Sequence, residues 1–386
     1  MSTLDEFSIS GNLIQGWPND DILFTQAGRD YVENNSPELF RILDWPELRA
    51  EFKKHDIPAL QSKAANVKTG SLALIFSFLG LGVSTLSTVN LDIETQVRSI
   101  AELFLLIGIF FGLWHLLRSR HKKTWLGHRF WTERLRQFYF QFIINNMDIA
   151  LEATTNDNAY EKYLSLRNKS LASLLRKKPK TALLLEETIS DVAETSPWID
   201  NKWDKATSIT SKHKNIIPLL EVLGRQRIGI QKEYTTRKMQ SGFKSPTKRS
   251  ALFNQAINFS TIGMIVLSAI AGTLMFTTVE IPWLSRFYTP ENPWKISADP
   301  IRAFFIGAGL LGVIIAMIKS IDEALTISVS AERYKWYLAS VNDLNNRFSA
   351  TENSKEKIRI LRELERLSYQ EMRRFLDVNM NAKFGI

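Results

Sequence analysis

Between Arg249 and Glu280 the chain runs for 30 residues, 250–279, without a charged side chain. As a helix, such a run is longer than a hydrocarbon core of roughly 30 Å requires at about 1.5 Å per residue. A polar, proline-rich stretch (280–300) follows, and then a second apolar run (303–318) that closes at Lys319. The pair reads as a transmembrane helical hairpin. The same plan appears once earlier: 69–91 is a run of 23 residues without a charge, 91–99 is a short loop, and 103–117 is an uncharged run of 15. The expected fold class is an all-α integral membrane protein with two transmembrane hairpins, four spans in all, and a helical cytoplasmic domain.

The flanking charges predict its orientation. Lys63 and Lys68 precede the first span, and Arg118, Arg120, Lys122 and Lys123 follow the second. Lys244, Lys248 and Arg249 precede the third, and Lys319 follows the fourth. Positive residues gather at cytoplasmic ends, so both termini and the middle domain are expected inside (N-in, C-in). Trp283, Tyr288 and Trp294 in the second loop suit an outer interface. The chain then divides into N-terminal cytoplasmic helices (1–68), a first hairpin (69–118), a basic helical domain (119–250), a second hairpin (251–319) and a C-terminal amphipathic helical pair (320–386). The first residues lack a basic region followed by an apolar core, so no cleaved signal peptide is expected. There is no Cys, which excludes disulfides and thiolate metal sites.

Helix signals are frequent outside the apolar runs. Ser36-Pro37-Glu38 and Asp44-Trp45-Pro46-Glu47 both read as helix starts, and 59–69 reads as a helix running directly into the first span. The middle domain predicts helices over 125–145, 159–176, 181–194 and 216–240. The last 65 or so residues predict two more, 322–348 and 355–379. The second of these carries an apolar stripe of Ile358, Leu361, Leu364, Leu367, Met372, Phe375 and Leu376, which fits an antiparallel pair or an intersubunit coiled coil.

The stretches behind the two hairpins are similar. Thr132-Glu133-Arg134-Leu135-Arg136-Gln137-Phe138 and Ala331-Glu332-Arg333-Tyr334-Lys335-Trp336-Tyr337 both read small, Glu, Arg, apolar, basic, any, aromatic. They lie 15 and 13 residues beyond the second run of each hairpin. Their placement predicts a duplicated unit of hairpin plus helix, both copies in one orientation, unlike the inverted repeats of many transporters.

The net charge of +9 has one source: 118–250 holds 26 basic against 13 acidic residues. Arg176, Lys177, Lys178 and Lys180 form one cluster, and Arg225, Arg227, Lys232, Arg237 and Lys238 decorate one predicted helix. These nine are the candidate site for an anionic nucleotide. Attraction to anionic lipid, worth roughly 1 kcal/mol per basic residue near the surface, explains them equally well.

Ser77, Ser84 and Thr88 stand seven and then four residues apart in the first span, and Thr261, Ser268 and Gly272 repeat that spacing in the third. A polar face in lipid must meet helices or water. Pore lining in an oligomer and helix contact are both consistent with it. Glu102 and Arg302, at the outer ends of spans two and four, fit a selectivity ring or snorkelling to the interface. Gly307-Ala308-Gly309-Leu310-Leu311-Gly312 matches a dinucleotide fingerprint in letters only, since it lies inside a span and the fingerprint needs a preceding strand. It reads as a packing surface of small residues, as do Gly108-x-x-x-Gly112 and Ser268-x-x-x-Gly272. Histidines 55, 115, 121, 128 and 213 form no metal-spaced pair. With no nucleophile elbow, phosphate loop or paired-carboxylate motif, no enzyme activity, catalytic residue, metal or cofactor is expected.

The stretches His128-Arg129-Phe130-Trp131-Thr132-Glu133-Arg134-Leu135-Arg136 and Ser330-Ala331-Glu332-Arg333-Tyr334-Lys335-Trp336-Tyr337 behind their hairpins resemble the SLATT family of bacterial two-span effectors. The resemblance covers about half of the chain. It implies a pore-forming effector of antiphage abortive infection in the bacterial inner membrane, coupled to a cognate nucleotidyltransferase that makes a nucleotide signal. An effector of the Hailong type, regulated by a DNA oligomer, would suit the basic domain. Two hairpins in one chain depart from the two-span plan. The expected function is thus a channel gated by a nucleotide or oligodeoxynucleotide and built as a homo-oligomer such as a tetramer in the lipid bilayer. Two alternatives stand beside it: a non-conducting scaffold that recruits a protein partner through its cytoplasmic helices, and a small-solute transporter. The lack of ionisable residues deep in the spans argues against the transporter.

Overall fold

A computed structural model describes residues 20–86, 94–117, 120–176, 213–241, 245–278 and 298–382. The expected all-α class is found: the described residues hold helices and no strand. In order they are α1 (Gln26–Asn35), α2 (Pro37–Leu43), α3 (Pro46–Leu86), α4 (Glu94–Leu117), α5 (Arg120–Asn145), α6 (Met147–Glu152) and α7 (Asp157–Arg176). Then come α8 (Ile216–Gly224), a π-helical turn (Arg225–Gly229), α9 (Ile230–Gln240), α10 (Pro246–Thr278), α11 (Ala298–Leu325), α12 (Ile327–Ala350) and α13 (Ser354–Asn381). The segment read as one helix over 216–240 is therefore α-helix with a π turn in it. The predicted helix 181–194 and the loop aromatics Trp283, Tyr288 and Trp294 lie outside the described residues.

Four helices contain stretches long and apolar enough to cross a membrane: Pro46–Leu86, Arg98–His115, Pro246–Leu274 and Ala303–Leu325. They mark a multi-pass membrane protein. The chain forms two compact units. The first comprises residues up to Ala64, Arg120–Pro246 and Val329–Asn381, and the second comprises Ala65–Ser119, Thr247–Ser328 and the last residues.

The first unit is built around α5. Its aromatic spacing predicted an apolar helix face, and Phe130, Trp131, Leu135, Phe138, Tyr139 and Phe142 are all buried. Along α5 lies α13, running the opposite way: Lys122 Nζ donates to the Met380 carbonyl at 2.9 Å, Trp125 meets Phe375, and Arg134 sits over the Tyr369 ring. In turn α12 runs antiparallel to α13, pairing Arg333 with Glu371, Tyr337 with Ser368, and Arg347 with Glu363. The stripe of α13 is thus covered within the chain, as an antiparallel pair, with Ile358, Leu361, Leu364 and Met372 in the core.

A short helix leaves its last carbonyls without partners of its own, and the end of α2 has three carbonyls served by side chains from elsewhere. The Tyr163 hydroxyl donates to the Ile42 carbonyl at 3.2 Å, the Tyr139 hydroxyl to Leu43 at 2.9 Å, and Arg167 Nη1 to Asp44 at 2.7 Å. Trp45, the next residue, is buried against Phe138, Tyr139 and Phe142, with the Arg167 guanidinium over its ring. This clasp places the start of α3.

In the second unit α3 and α4 lie side by side in opposite directions. Thr69 pairs with His115, Phe76 with Phe111, and Ser77 approaches Gly108. A methyl at Gly108 would come within 2.8 Å of the Ser77 backbone nitrogen, so glycine there is what lets the two backbones meet. The helices α10 and α11 also approach through small residues: Gly263 faces Leu311, and Gly307 faces Leu267. That places the GxGxxG stretch in mid-helix, where it serves packing. Between α11 and α12, Thr326 adopts φ 52°, a left-handed value costly for a β-branched residue. The break is held by Asp322 Oδ1 accepting the Ser328 N–H at 2.9 Å.

Tyr139→Phe removes the donor from a buried carbonyl and is expected to cost about 1–3 kcal/mol. Thermal unfolding of the full chain, followed by helical circular dichroism, measures it.

Candidate functional site

The charged residues of the first unit do not all face water. Arg227, on the π turn, is 2% exposed, and its Nε donates to Glu365 Oε1 of α13 at 2.6 Å, with Glu365 fully buried. A π turn adds a residue to one helical turn and re-aims the side chains on it. Here it carries Gln226, Arg227 and Ile228 into the core. Gly224 at its edge is needed because an added methyl would meet the Phe348 ring at 2.5 Å. Burial acts against the Arg227 charge, but Glu365 outweighs it and keeps the guanidinium protonated. The pair is incompletely satisfied: Arg227 Nη2 and Glu365 Oε2 are buried without a hydrogen-bond partner.

A second cluster adjoins it on α5. Arg129 Nη2 and Arg136 Nη1 reach the two oxygens of Glu133 at 2.5 and 2.7 Å, and Arg136 Nε lies 2.7 Å from Asp21. Burial alone would raise the Glu133 carboxyl; Arg129 and Arg136 overcome that and pull it down to about 2. Burial lowers Arg134 to about 10, with Tyr369 and Glu365 resisting, so it stays charged at neutral pH. Burial raises Glu371, and Arg333 opposes it from 3.2 Å. Guanidinium groups and carboxylates from the N-terminal segment, α5, the π turn, α12 and α13 thus form one partly desolvated network. It can hold helices in register. It holds no nucleophile beside a base, and no three His, Asp or Glu among the described residues are grouped to bind a metal.

The predicted anion-binding residues fall in different places. Arg176 closes α7 and is exposed, as is Arg225. Lys232, Arg237 and Lys238 are half-buried on α9, where Arg237 faces Glu233 at 3.8 Å and Lys238 lies over the Tyr234 ring at 5.6 Å. Arg227 stands apart from these as a core residue. Lys177, Lys178 and Lys180 lie outside the described residues.

Of the predicted pore residues, Ser77 is buried beside Gly108, at a helix contact. Thr261 returns its hydroxyl to the Ile257 carbonyl at 2.8 Å. Ser84 and Ser268 face outward from their helices. Glu102 is exposed and pairs with Arg98 at 3.2 Å. Thr88 and the Arg302 side chain lie outside the described residues.

The sequence pattern did not reveal the histidine pair. His55 Nδ1 and His128 Nδ1 are 2.9 Å apart, on α3 and α5, beside Trp131. Only one of the two facing nitrogens can carry the shared proton. Seventy-three residues separate them, so no local spacing could disclose the pair. Glu365 did leave a signal: it is a carboxylate four residues after Leu361, inside the apolar stripe of α13. His115 has its Nδ1 3.0 Å from the Thr69 hydroxyl, joining α4 to α3.

Glu365→Gln takes from the buried Arg227 its carboxylate partner at 2.6 Å and leaves only Asp21, 3.9 Å away; it is expected to cost about 3–5 kcal/mol, whereas Arg227→Met with Glu365→Met recovers most of it. Paired thermal melts read the difference. A depressed carboxyl stabilises above its unfolded value near 4.5 and loses that contribution as pH falls toward 2. Glu133→Gln is therefore expected to lose on the order of 3 kcal/mol at pH 7 and to lie close to wild type at the acid end of a pH series of melts.

Compared with protein-family models, curated proteins and solved structures, the chain finds no match.

Proposed function

We propose that this chain is a bacterial inner-membrane effector that assembles as a homo-oligomer, opens a channel, and is gated by a nucleotide or oligonucleotide bound to its basic helical region. In this reading α3 with α4, and α10 with α11, are two transmembrane hairpins with their connections outside and both termini inside. The antiphage setting and the partner nucleotidyltransferase rest on the resemblance carried by 128–136 and 330–337.

One observation carries the membrane part. Only 11–28% of each apolar window is buried within the chain. Phe259, Ile262 and Val266 form one uncovered face, and Leu103, Leu106, Phe110 and Leu113 another. Lipid or further copies of the chain must cover them. Ser84 and Ser268 face outward and would line a shared aqueous path. The strained Thr326 lies where an apolar helix gives way to α12, and Arg120–Asn145 likewise follows α4. A ligand that favours one arrangement of these helices would bias the spans by its difference in affinity between the two states.

Expression with the neighbouring genes during phage infection is expected to depolarise cells loaded with a voltage-sensitive dye. Ser84→Leu with Ser268→Leu should cut the signal at least tenfold without loss of the inserted protein. No depolarisation under any activating condition would sink the channel; depolarisation that ignores the serines would sink their role.

A further inference from the structure

The histidine pair of the first unit has a proton count that its geometry fixes. His55 lies on the part of α3 that belongs to this unit, ahead of the apolar run that begins at 69, and His128 lies on α5. Their Nδ1 atoms are 2.9 Å apart, with the ring centroids 5.1 Å apart and the ring planes tilted by 46°. At that distance the contact is one N–H···N hydrogen bond, one ring donating and the other accepting. The other nitrogen of His55, Nε2, lies 3.6 Å from Glu51 Oε1. A proton on Nε2, facing that carboxylate, leaves His55 Nδ1 as the acceptor. The surrounding bonds thus assign His128 Nδ1–H as the donor.

One added proton is tolerated. His128 is half-buried and His55 only 3% exposed, so the first goes to His128 Nε2, the ring nearer water, and the N–H···N bond stays. A second must go on His55 Nδ1. There it sets two N–H donors and two positive rings against each other. The charges around the pair are already matched. On α3, Glu51 holds Lys54 at 2.8 Å, and burial pushes the Asp56 carboxyl up against the pull of Arg129 and Arg136. On α5, Arg129 is met by Glu133, and Arg136 by Glu133 and by Asp21 of the N-terminal segment. Tyr234 of α9, which interacts with Arg129, is kept neutral by burial.

We infer that the His55–His128 contact is an acid-released tie between α3 and α5: it holds with one added proton or none, and the second proton parts the rings. Once apart, both rings take up protons in the ordinary imidazole range near 6.5. The open state then binds one proton more than the closed one, and the state that binds more protons gains as pH falls. The tie is therefore fully present above about 6.5 and is lost progressively below it. The carboxyls of this unit act with the opposite sign or in another window. Asp56 and Glu371, raised by burial, favour the folded form as pH falls, and the depressed Glu133 weakens it only below about 4.5. In the proposed function the medium that sets the tie is the cytoplasm, and protons admitted by an open channel would loosen it. That use rests on the proposed function; the proton response does not.

The test uses the full chain in nanodiscs of neutral lipid and reads amide hydrogen exchange by mass spectrometry on peptides from 46–60, with rates corrected for the intrinsic effect of pH. Wild-type protection there is expected to fall between pH 7 and 5, approaching about tenfold per pH unit below about 6. His128→Asn supplies a carboxamide that donates to a neutral His55 ring and accepts from a charged one. It should keep the protection seen at pH 7 and flatten the fall to less than about twofold. His115→Asn, at the Thr69 contact, should leave the fall as in wild type. A measurement that needs no variant stands beside these: selective nitrogen-15 histidine spectra of the wild type should show coupling between two Nδ1 atoms across the hydrogen bond at pH 7 and lose it by pH 5. Protection that is flat from pH 7 to 5, a fall of wild-type size in His128→Asn, a fall abolished by His115→Asn instead, or no such coupling at pH 7 overturns the tie. An acid-sensitive α3 without depolarisation of cells removes the channel and keeps the tie; depolarisation with flat protection does the reverse.

Discussion

Four helices of this chain carry more apolar surface than the chain can cover, and the rest of the structure depends on that shortage. Leu106 is 64% exposed and Phe259 75%. Leaving such side chains in water forfeits about 1.5–3 kcal/mol each. In hydrocarbon that penalty disappears, but every backbone polar group must then be satisfied within the segment, which only helix achieves here. With no hydrophobic gain on offer between them, such helices associate through close backbone approach. That is why Gly80 abuts Leu105 and Gly108 abuts Ser77, where a soluble protein would interlock leucines.

The first unit works under the opposite rule. Its aromatic residues turn inward: Trp45, Tyr139, Phe140 and Tyr163 are nearly or wholly buried. A core this wide also takes in charges, which can be tolerated only in pairs. The two similar stretches show how one pattern is used twice. Thr132 and Ala331 are buried, as are Phe138 and Tyr337. Arg134 lies over Tyr369 and Arg333 over Phe375, six residues apart on α13. The glutamates differ. Glu133 is enclosed by Arg129 and Arg136, while Glu332 is exposed and pairs with Lys335 one turn on. The core-facing positions are alike and the others have separate surroundings.

Much of the fold was legible because membrane spans and helix starts are local signals. Pro37 and Pro46 open helices where the sequence places them, and 59–69 does continue into the first apolar helix. The candidate sites were less legible. Arg225 and Arg227 look equivalent in sequence, two residues apart on one helix. The π turn between Gly224 and Ile230 sends Arg227 inward to Glu365 and leaves Arg225 in solvent. Nothing in helical periodicity announces such a turn. Likewise Arg347 and Glu363 are read singly as surface charges, and only the antiparallel docking of α12 on α13 makes them a two-bond pair.

By itself, then, the sequence determined the helical class, the four apolar segments, the likeness of the two stretches behind them, and the location of the excess positive charge. Each depends on composition and spacing within a stretch of some twenty residues, the range over which lipid thickness and helical period act. Tertiary structure alone decided which charges are buried pairs and which stay at the surface, that His55 meets His128, and that the stripe of α13 is spent inside the chain. Those outcomes depend on contacts between residues far apart in the chain, and the energy of a charge is set by what surrounds it rather than by its neighbours in sequence.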